Sequence, residues 1–193
     1  MVAPVAGGRP ALLPMTHAIE RIEALGSDAL VVGGNASEGL GFTAIDLRAA
    51  RAGLGDVFTL PAASEGETRS HAFFFRPTTP DGASGILGLP IGRPVDAAYE
   101  RFFGSAASML FLRRDDRRLA QAGMLDAHVE GTVDDACRAS CTDWYGNARP
   151  IFLGNRVFAL LGYELVEGRL ARGRIREIGR VNFAPRPPSR SRP

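Results

Sequence analysis

A chain of 193 residues can fold as one domain with a sizeable core, and a hydrophobic content of 45% excludes disorder for its bulk. The 23 Gly and 13 Pro point to many turns and few long helices, which leans the class towards β. All 23 basic residues are Arg, a usage that a GC-rich coding bias explains without invoking selection for bidentate anion contacts. The net charge of +2 hides an asymmetry: residues 169–193 hold eight Arg against Glu177 alone, whereas residues 1–168 are net acidic.

The opening "MVAPVAGGRPALLPM" lacks the basic start and long apolar centre of a signal peptide, and no run approaches the ~18 apolar residues that span a bilayer. Residues 1–15 are therefore predicted to be a flexible segment, residues 16–183 a folded domain, and the Pro-rich, charged "APRPPSRSRP" an extended basic tail over residues 184–193.

Seven short apolar runs, each ending in a turn signal, follow one another: "DALVVGG" (28–34), "GFTAIDL" (41–47), "HAFFFRP" (71–77), "GILGLPIG" (85–92), "SMLFLRR" (108–114), "RPIFL" (149–153) and "RVFALLGYELV" (156–166). They are strand-length, and apolar side chains on both faces of a strand require both faces of its sheet to be covered. The connectors "NASEGL" and "TTPDGAS" are shorter than the crossover of a dozen or so residues that a parallel pair needs, so the strands they join are predicted to form antiparallel hairpins. Ala29, Ala72, Ser108 and Val157 recur at intervals of 43, 36 and 49 residues, close to the period of propeller blades. The expected fold is all-β and β-propeller-like, with about four antiparallel blades and an incomplete ring. "HAFFFRP" and "RVFALLGYELV" should be inner or central strands. "RIREIGRVNF" alternates Ile175, Gly179, Val181 and Phe183 against Arg174, Arg176, Arg180 and Asn182, broken at Glu177 and Ile178, and should lie nearer the outside.

An α+β fold is the alternative, because "THAIERIEAL", "VDAAYERFFG" and "DDRRLAQAGML" can each be read as a helix; Ile19, Ile22 and Leu25 are spaced for one.

Chemical motifs are sparse. Cys137 and Cys141 in "CRASC" have no second pair with which to complete a zinc site, so an exported chain would hold them as a disulfide and a cytosolic one as thiols. His17, His71 and His128 fall in no metal or nucleophile motif, no Gly-x-Ser-x-Gly elbow is present, and "VVGGNASEGLG" lacks the Gly-Lys-Ser/Thr ending of a phosphate loop. No cofactor, metal or catalytic residue is assigned. "DWYGNARP" offers Asp143, Trp144, Tyr145, Asn147 and Arg149 as a candidate binding platform; the competing structural reading makes Gly146 and Asn147 a turn, pairs Arg149 with Asp143 and uses Trp144, Tyr145, Ile151, Phe152, Val157, Phe158, Leu160 and Leu161 mainly as core.

The phrase "CRASCTDWYGNARPIFLGNRVFALLGYELVEG", together with "RIEALGSDALVVGG", "GETRSHAFFFRP" and "GILGLPIGRP", resembles bacterial secreted proteins with a C-terminal β-propeller domain, distantly WD40-like. The resemblance implies an extracellular or periplasmic setting, with this chain part of a longer exported protein. It also implies a non-catalytic domain whose loops meet a protein or glycan ligand at the cell envelope. An extracellular enzyme on a propeller or α+β scaffold, and an anion-binding module using the Arg-rich tail, are the other readings. Nucleic acid is not the expected partner. An open ring is expected to self-associate through its exposed apolar blade face.

Overall fold

The computed structural model describes residues 1–35, 37–66, 70–93, 106–128 and 148–183. These residues form thirteen strands and one 3₁₀ turn, arranged as three antiparallel sheets. Sheet I is a meander of β1 (Arg21–Leu25), β2 (Asp28–Asn35), β3 (Gly39–Asp46) and β4 (Gly53–Leu60). Sheet II is built on β7 (Gly85–Arg93), β8 (Ala106–Asp115) and β9 (Arg118–Asp126). Its outer edge is shared by β5 (Ser64–Glu65) and β6 (Phe74–Pro77), which pair with opposite ends of β7 and so act as one interrupted strand. Sheet III is a second meander, of β10 (Ala148–Leu153), β11 (Arg156–Leu161), β12 (Glu164–Ala171) and β13 (Arg174–Asn182).

The sheets stack face to face with sheet II in the middle, which is the physical reason that its strands are apolar on both sides. Along β7 and β8, Leu87, Leu89, Ile91, Leu110 and Leu112 face sheet I and meet Leu30, Val32, Leu40 and Phe42. The alternate residues Ile86, Met109 and Phe111 face sheet III and meet Val157, Ala159, Leu161 and Val166. Fully burying one such side chain contributes about 1.5–3 kcal/mol, so these two seams hold the molecule together. Strand order runs the same way through the stack: β10 lies against β7, β11 against β8, and β12 and β13 against β9, while β1 meets β6 and β4 meets β9.

Two glycines set how closely sheet III approaches. A Cβ on Gly88 of β7 would lie 2.7 Å from Pro150 Cβ and 3.0 Å from the Phe111 ring, and one on Gly123 of β9 would lie 2.5 Å from the Ile175 carbonyl oxygen. Phe152 fills the space beside them, edge-on to Phe111 at 5.9 Å between ring centroids.

The predicted hairpins form as expected: β2 pairs β3 and β6 pairs β7, both antiparallel. The α+β alternative is overturned for the described segments. "THAIERIEAL" contains β1, with Ile19 and Ile22 exposed and Leu25 buried, and "DDRRLAQAGML" is the last residue of β8, a two-residue turn and β9. "VDAAYERFFG" lies outside the described residues. "HAFFFRP" is not an inner strand: a 3₁₀ turn at Ser70–Ala72 precedes a four-residue edge strand, and Phe74 is 49% exposed while Phe73 turns into the core. "RVFALLGYELV" is central as expected but is two strands, β11 and β12, split by a turn where Gly162 takes a φ of 61°. β13 is the outermost strand of sheet III, and the break in its alternation is a β-bulge: Glu167 opposes Gly179 and Gly168 opposes Glu177, leaving Ile178 as the extra residue. The bulge flips the phase, so Ile175 is buried whereas Val181 and Phe183, expected on its face, are exposed.

Candidate functional site

At one end of the stack the β1–β2, β6–β7 and β8–β9 connections meet and bring charged side chains together. The densest group sits between sheets I and II. Asp28 opens β2 and Arg114 is the penultimate residue of β8, both with side chains 1% exposed, and Arg114 Nη2 donates to Asp28 Oδ2 at 2.5 Å. Arg114 Nη1 donates to the carbonyl oxygens of Leu25 at 3.0 Å and Gly82 at 2.9 Å. Those two carbonyls converge because Gly26 and Gly82 face each other with φ of 64° and 73°; a Cβ on Gly26 would lie 2.3 Å from the Asp81 carbonyl oxygen.

Arg117 adds a second cation to Asp28. It stands in the β8–β9 turn, where Asp116 and Arg117 both have positive φ, the geometry of a two-residue hairpin loop of type I′. From there its Nε donates to Asp28 Oδ2 at 3.1 Å and its Nη2 to Asp81 Oδ2 at 2.5 Å. Arg48 approaches Asp28 to 3.9 Å and is held by Asp46 at 2.5 Å. The chain of charges therefore alternates in sign from Asp46 through Arg48, Asp28 and Arg117 to Asp81. A recess of about 360 Å³ opens beside it, lined also by Asp56, Asp116 and Arg118.

The electrostatics follow from the pairing. Hydrogen bonds from the Arg48 side chain hold the Asp46 carboxyl below its usual range, and the backbone N–H of Ala83, with Arg117, holds Asp81 far below it. Carboxylates so held carry no proton at neutral pH, and arginine does not lose its own. What the cluster offers is charge pairing, which locks the ends of sheets I and II: Asp56 Oδ2 adds to this by accepting from the backbone N–H of Leu119 at 2.7 Å.

A second buried pair lies at the other edge of these sheets. Arg21 of β1 donates to Glu65 of β5, whose side chain is 2% exposed, and Glu65 Oε2 has no hydrogen-bond partner among the described residues. Burial pushes the Glu65 carboxyl above its usual range despite Arg21.

Of the residues predicted from sequence, Arg149 lies exposed on β10, opposite Leu160. Asp143, Trp144, Tyr145 and Asn147, and the cysteines Cys137 and Cys141, lie outside the described residues, as does the basic tail, so the Asp143–Arg149 pairing falls there too. Within the expected core set Val157 and Leu161 are buried and Ile151, Phe152, Phe158 and Leu160 half-buried. His17 packs its ring over Gly41, donating through Nδ1 to the Ala18 carbonyl and accepting at Nε2 from the Thr43 hydroxyl at 2.8 Å. His71 is exposed in the 3₁₀ turn. Among the described residues no three His, Cys, Asp or Glu side chains are grouped to hold a metal, and no helix is long and apolar enough to cross a membrane.

Sequence reading missed Asp28, Arg114 and Arg117. The available signal was a charged residue at the end of an otherwise apolar run, Asp28 before "ALVVGG" and Arg114 after "MLFLR", since a charge on a strand covered on both faces requires a buried partner. Comparison with known protein families, curated proteins and solved structures finds no match for this chain.

Proposed function

We propose that the three sheets are successive blades of a β-propeller-type domain, and that the domain is a non-catalytic scaffold presenting its loops to a protein or glycan ligand at the cell envelope. The observation that supports this reading is the repetition of four-stranded meanders stacked face to face in the same strand order, with the middle sheet buried on both faces. The Asp28–Arg114 cluster fits the same reading, because its paired charges serve the seam between sheets rather than a proton transfer.

The ligand-facing residues proposed are those of "DWYGNARP": Trp144 and Tyr145 as an aromatic platform, with Asp143, Asn147 and Arg149 as polar anchors. The test is binding of the purified chain to a glycan array and to solubilised envelope proteins, repeated with a Trp144→Ala/Tyr145→Ala variant. Binding that the variant loses at unchanged melting temperature supports the reading. Binding untouched by the substitutions removes the platform, and chemical turnover of a captured ligand would replace the scaffold with the enzyme alternative.

A further inference from the structure

The register of sheet III sets Leu153 and Arg156 in line with the arginines of "RLARGRIR", residues 169–176. Leu153 opposes Arg156, Arg156 opposes Arg169, and Arg169 opposes Arg176, so one rung crosses all four strands on the face turned away from sheet II. Two residue pairs nearer the hairpin tip, on the same face, Arg174 opposes Ala171, and Arg172 occupies the tip. Like charges placed directly opposite on a sheet are destabilising.

Glu167 pairs directly with only one of them, Arg156, and acts on Arg169 at longer range. It receives Arg156 through two hydrogen bonds, at 2.6 and 2.8 Å, which hold its carboxyl below the usual range. Arg169, Arg172, Arg174 and Arg176 have no ion pair or hydrogen bond to another described residue. Charges on an exposed edge strand commonly guard against strand addition, which accounts for Arg174 and Arg176 on β13. It does not account for Arg169, which stands on the inner strand β12 between two other arginines.

Apolar side chains flank this cluster. Arg169, Arg172, Arg174 and Arg176 line a shallow recess of about 520 Å³ together with Ile178, the bulge residue, which is 48% exposed. Leu153, at the opposite end of the rung, is 62% exposed. No aromatic ring lines the recess, which disfavours a base-stacking surface for single-stranded nucleic acid.

We infer that this face of sheet III is a docking surface for an anionic lipid bilayer, with Arg169, Arg172, Arg174 and Arg176 meeting headgroup phosphates and Leu153 and Ile178 entering the headgroup region. A flat array of cations attracts an anionic surface, and exposed apolar side chains at its margins gain area on contact with the interface. A soluble polyanion would use the arginines and leave Leu153 and Ile178 without a role. The inference needs only sheet III and stands apart from the blade reading.

The experiment is co-sedimentation of the full chain with phosphatidylcholine vesicles, with and without phosphatidylglycerol. Comparison variants are Arg169→Gln/Arg174→Gln/Arg176→Gln and Leu153→Ser, each checked for an unchanged melting transition. The wild type is expected to sediment with the anionic vesicles only and to be released by salt. The triple variant should bind about a hundredfold more weakly, since each arginine near an anionic surface contributes about a factor of five. Because the tail is intact in it, that loss belongs to the sheet. Leu153→Ser should make the remaining binding more salt-sensitive. Binding unchanged in the triple variant, or absent from anionic vesicles, overturns the inference. Equal binding to heparin or duplex DNA with no effect of Leu153→Ser overturns the lipid assignment in favour of a soluble polyanion.

Discussion

Arg114 and Asp28 stand 86 residues apart in the chain and 2.5 Å apart in the fold, each with its side chain 1% exposed, where the end of β8 crosses the start of β2. Two charges taken out of water are tolerated here because almost every polar atom is met: Asp28 by Arg117 as well, Arg114 by two backbone carbonyls. The pair is thus a constraint on how sheets I and II are aligned more than a source of net stability, since a buried ion pair roughly balances its own desolvation.

Removing one partner should therefore cost far more than removing both. Asp28→Ala is expected to destabilise the fold by about 3–5 kcal/mol, because it strands the Arg114 guanidinium in a dry seam. Asp28→Ala/Arg114→Leu should recover a large part of that loss, giving a favourable coupling of about 1–3 kcal/mol in a double-mutant cycle. Urea denaturation of the four proteins measures it. Additive losses would show that the two residues stabilise the seam independently.

The same crossing explains what was legible in the sequence. Runs buried on both faces, "GILGLPIG" and "SMLFLRR", announce themselves by composition, and they proved to be β7 and β8 at the centre of the stack. Strands with one wet face do not. β4 escaped notice because Leu54 and Val57 are exposed while Phe58 packs inward, and β9 buries Leu119, Ala122 and Leu125 at intervals of three because a bulge shifts its register, which mimics a helical spacing. "HAFFF" misled for a third reason. Three successive Phe suggest a strand covered on both faces, but the chain enters through a 3₁₀ turn that sends Phe73 into the core and leaves Phe74 at an open edge, against Phe152. The Asp28 cluster and the arginine rung depend on register and on sheet stacking, which local pattern does not encode.

Close approach of sheets II and III should be sensitive to a single methyl group. Gly88→Ala places a Cβ 2.7 Å from Pro150, and Gly123→Ala places one 2.5 Å from the backbone oxygen of Ile175. The obstacle is backbone in the second case, which cannot rotate away, so Gly123→Ala should cost more, with both in the range of about 1–3 kcal/mol. Neither glycine has a positive φ, so the loss reports overpacking rather than backbone strain. Melting temperatures equal to wild type in both variants would mean that sheet III can shift to make room.

Stability should respond to pH in two opposite ways. Asp46, Asp81 and Glu167 are held below their ordinary values by arginine partners and, for Asp81, first by a backbone N–H; their contribution is present above pH 3.8 to 4.5 and is lost as pH falls through the depressed folded values. Glu65 is raised by burial, so its contribution is fully present below 4.5 and is lost as pH rises through its folded value. Glu65→Gln removes the second effect alone. The stability of the variant relative to wild type should therefore increase as pH rises from below 4.5 towards neutrality, measured by urea midpoints across that window. Parallel profiles would show that Arg21 keeps Glu65 charged without penalty.

The cysteines connect the proposed setting to a direct measurement. Cys137 and Cys141 are the only two in the chain, and a disulfide forms and persists in an oxidising compartment but not in a reducing one. If the protein works at the envelope, material exported into the periplasm should carry the Cys137–Cys141 disulfide, and material made in the cytosol should carry two thiols. Intact mass after alkylation, with and without prior reduction, separates the states: exported protein should take up label only after reduction. Two thiols that alkylate freely in exported protein would remove the disulfide and, with it, the one feature of the sequence that ties this scaffold to an oxidising compartment.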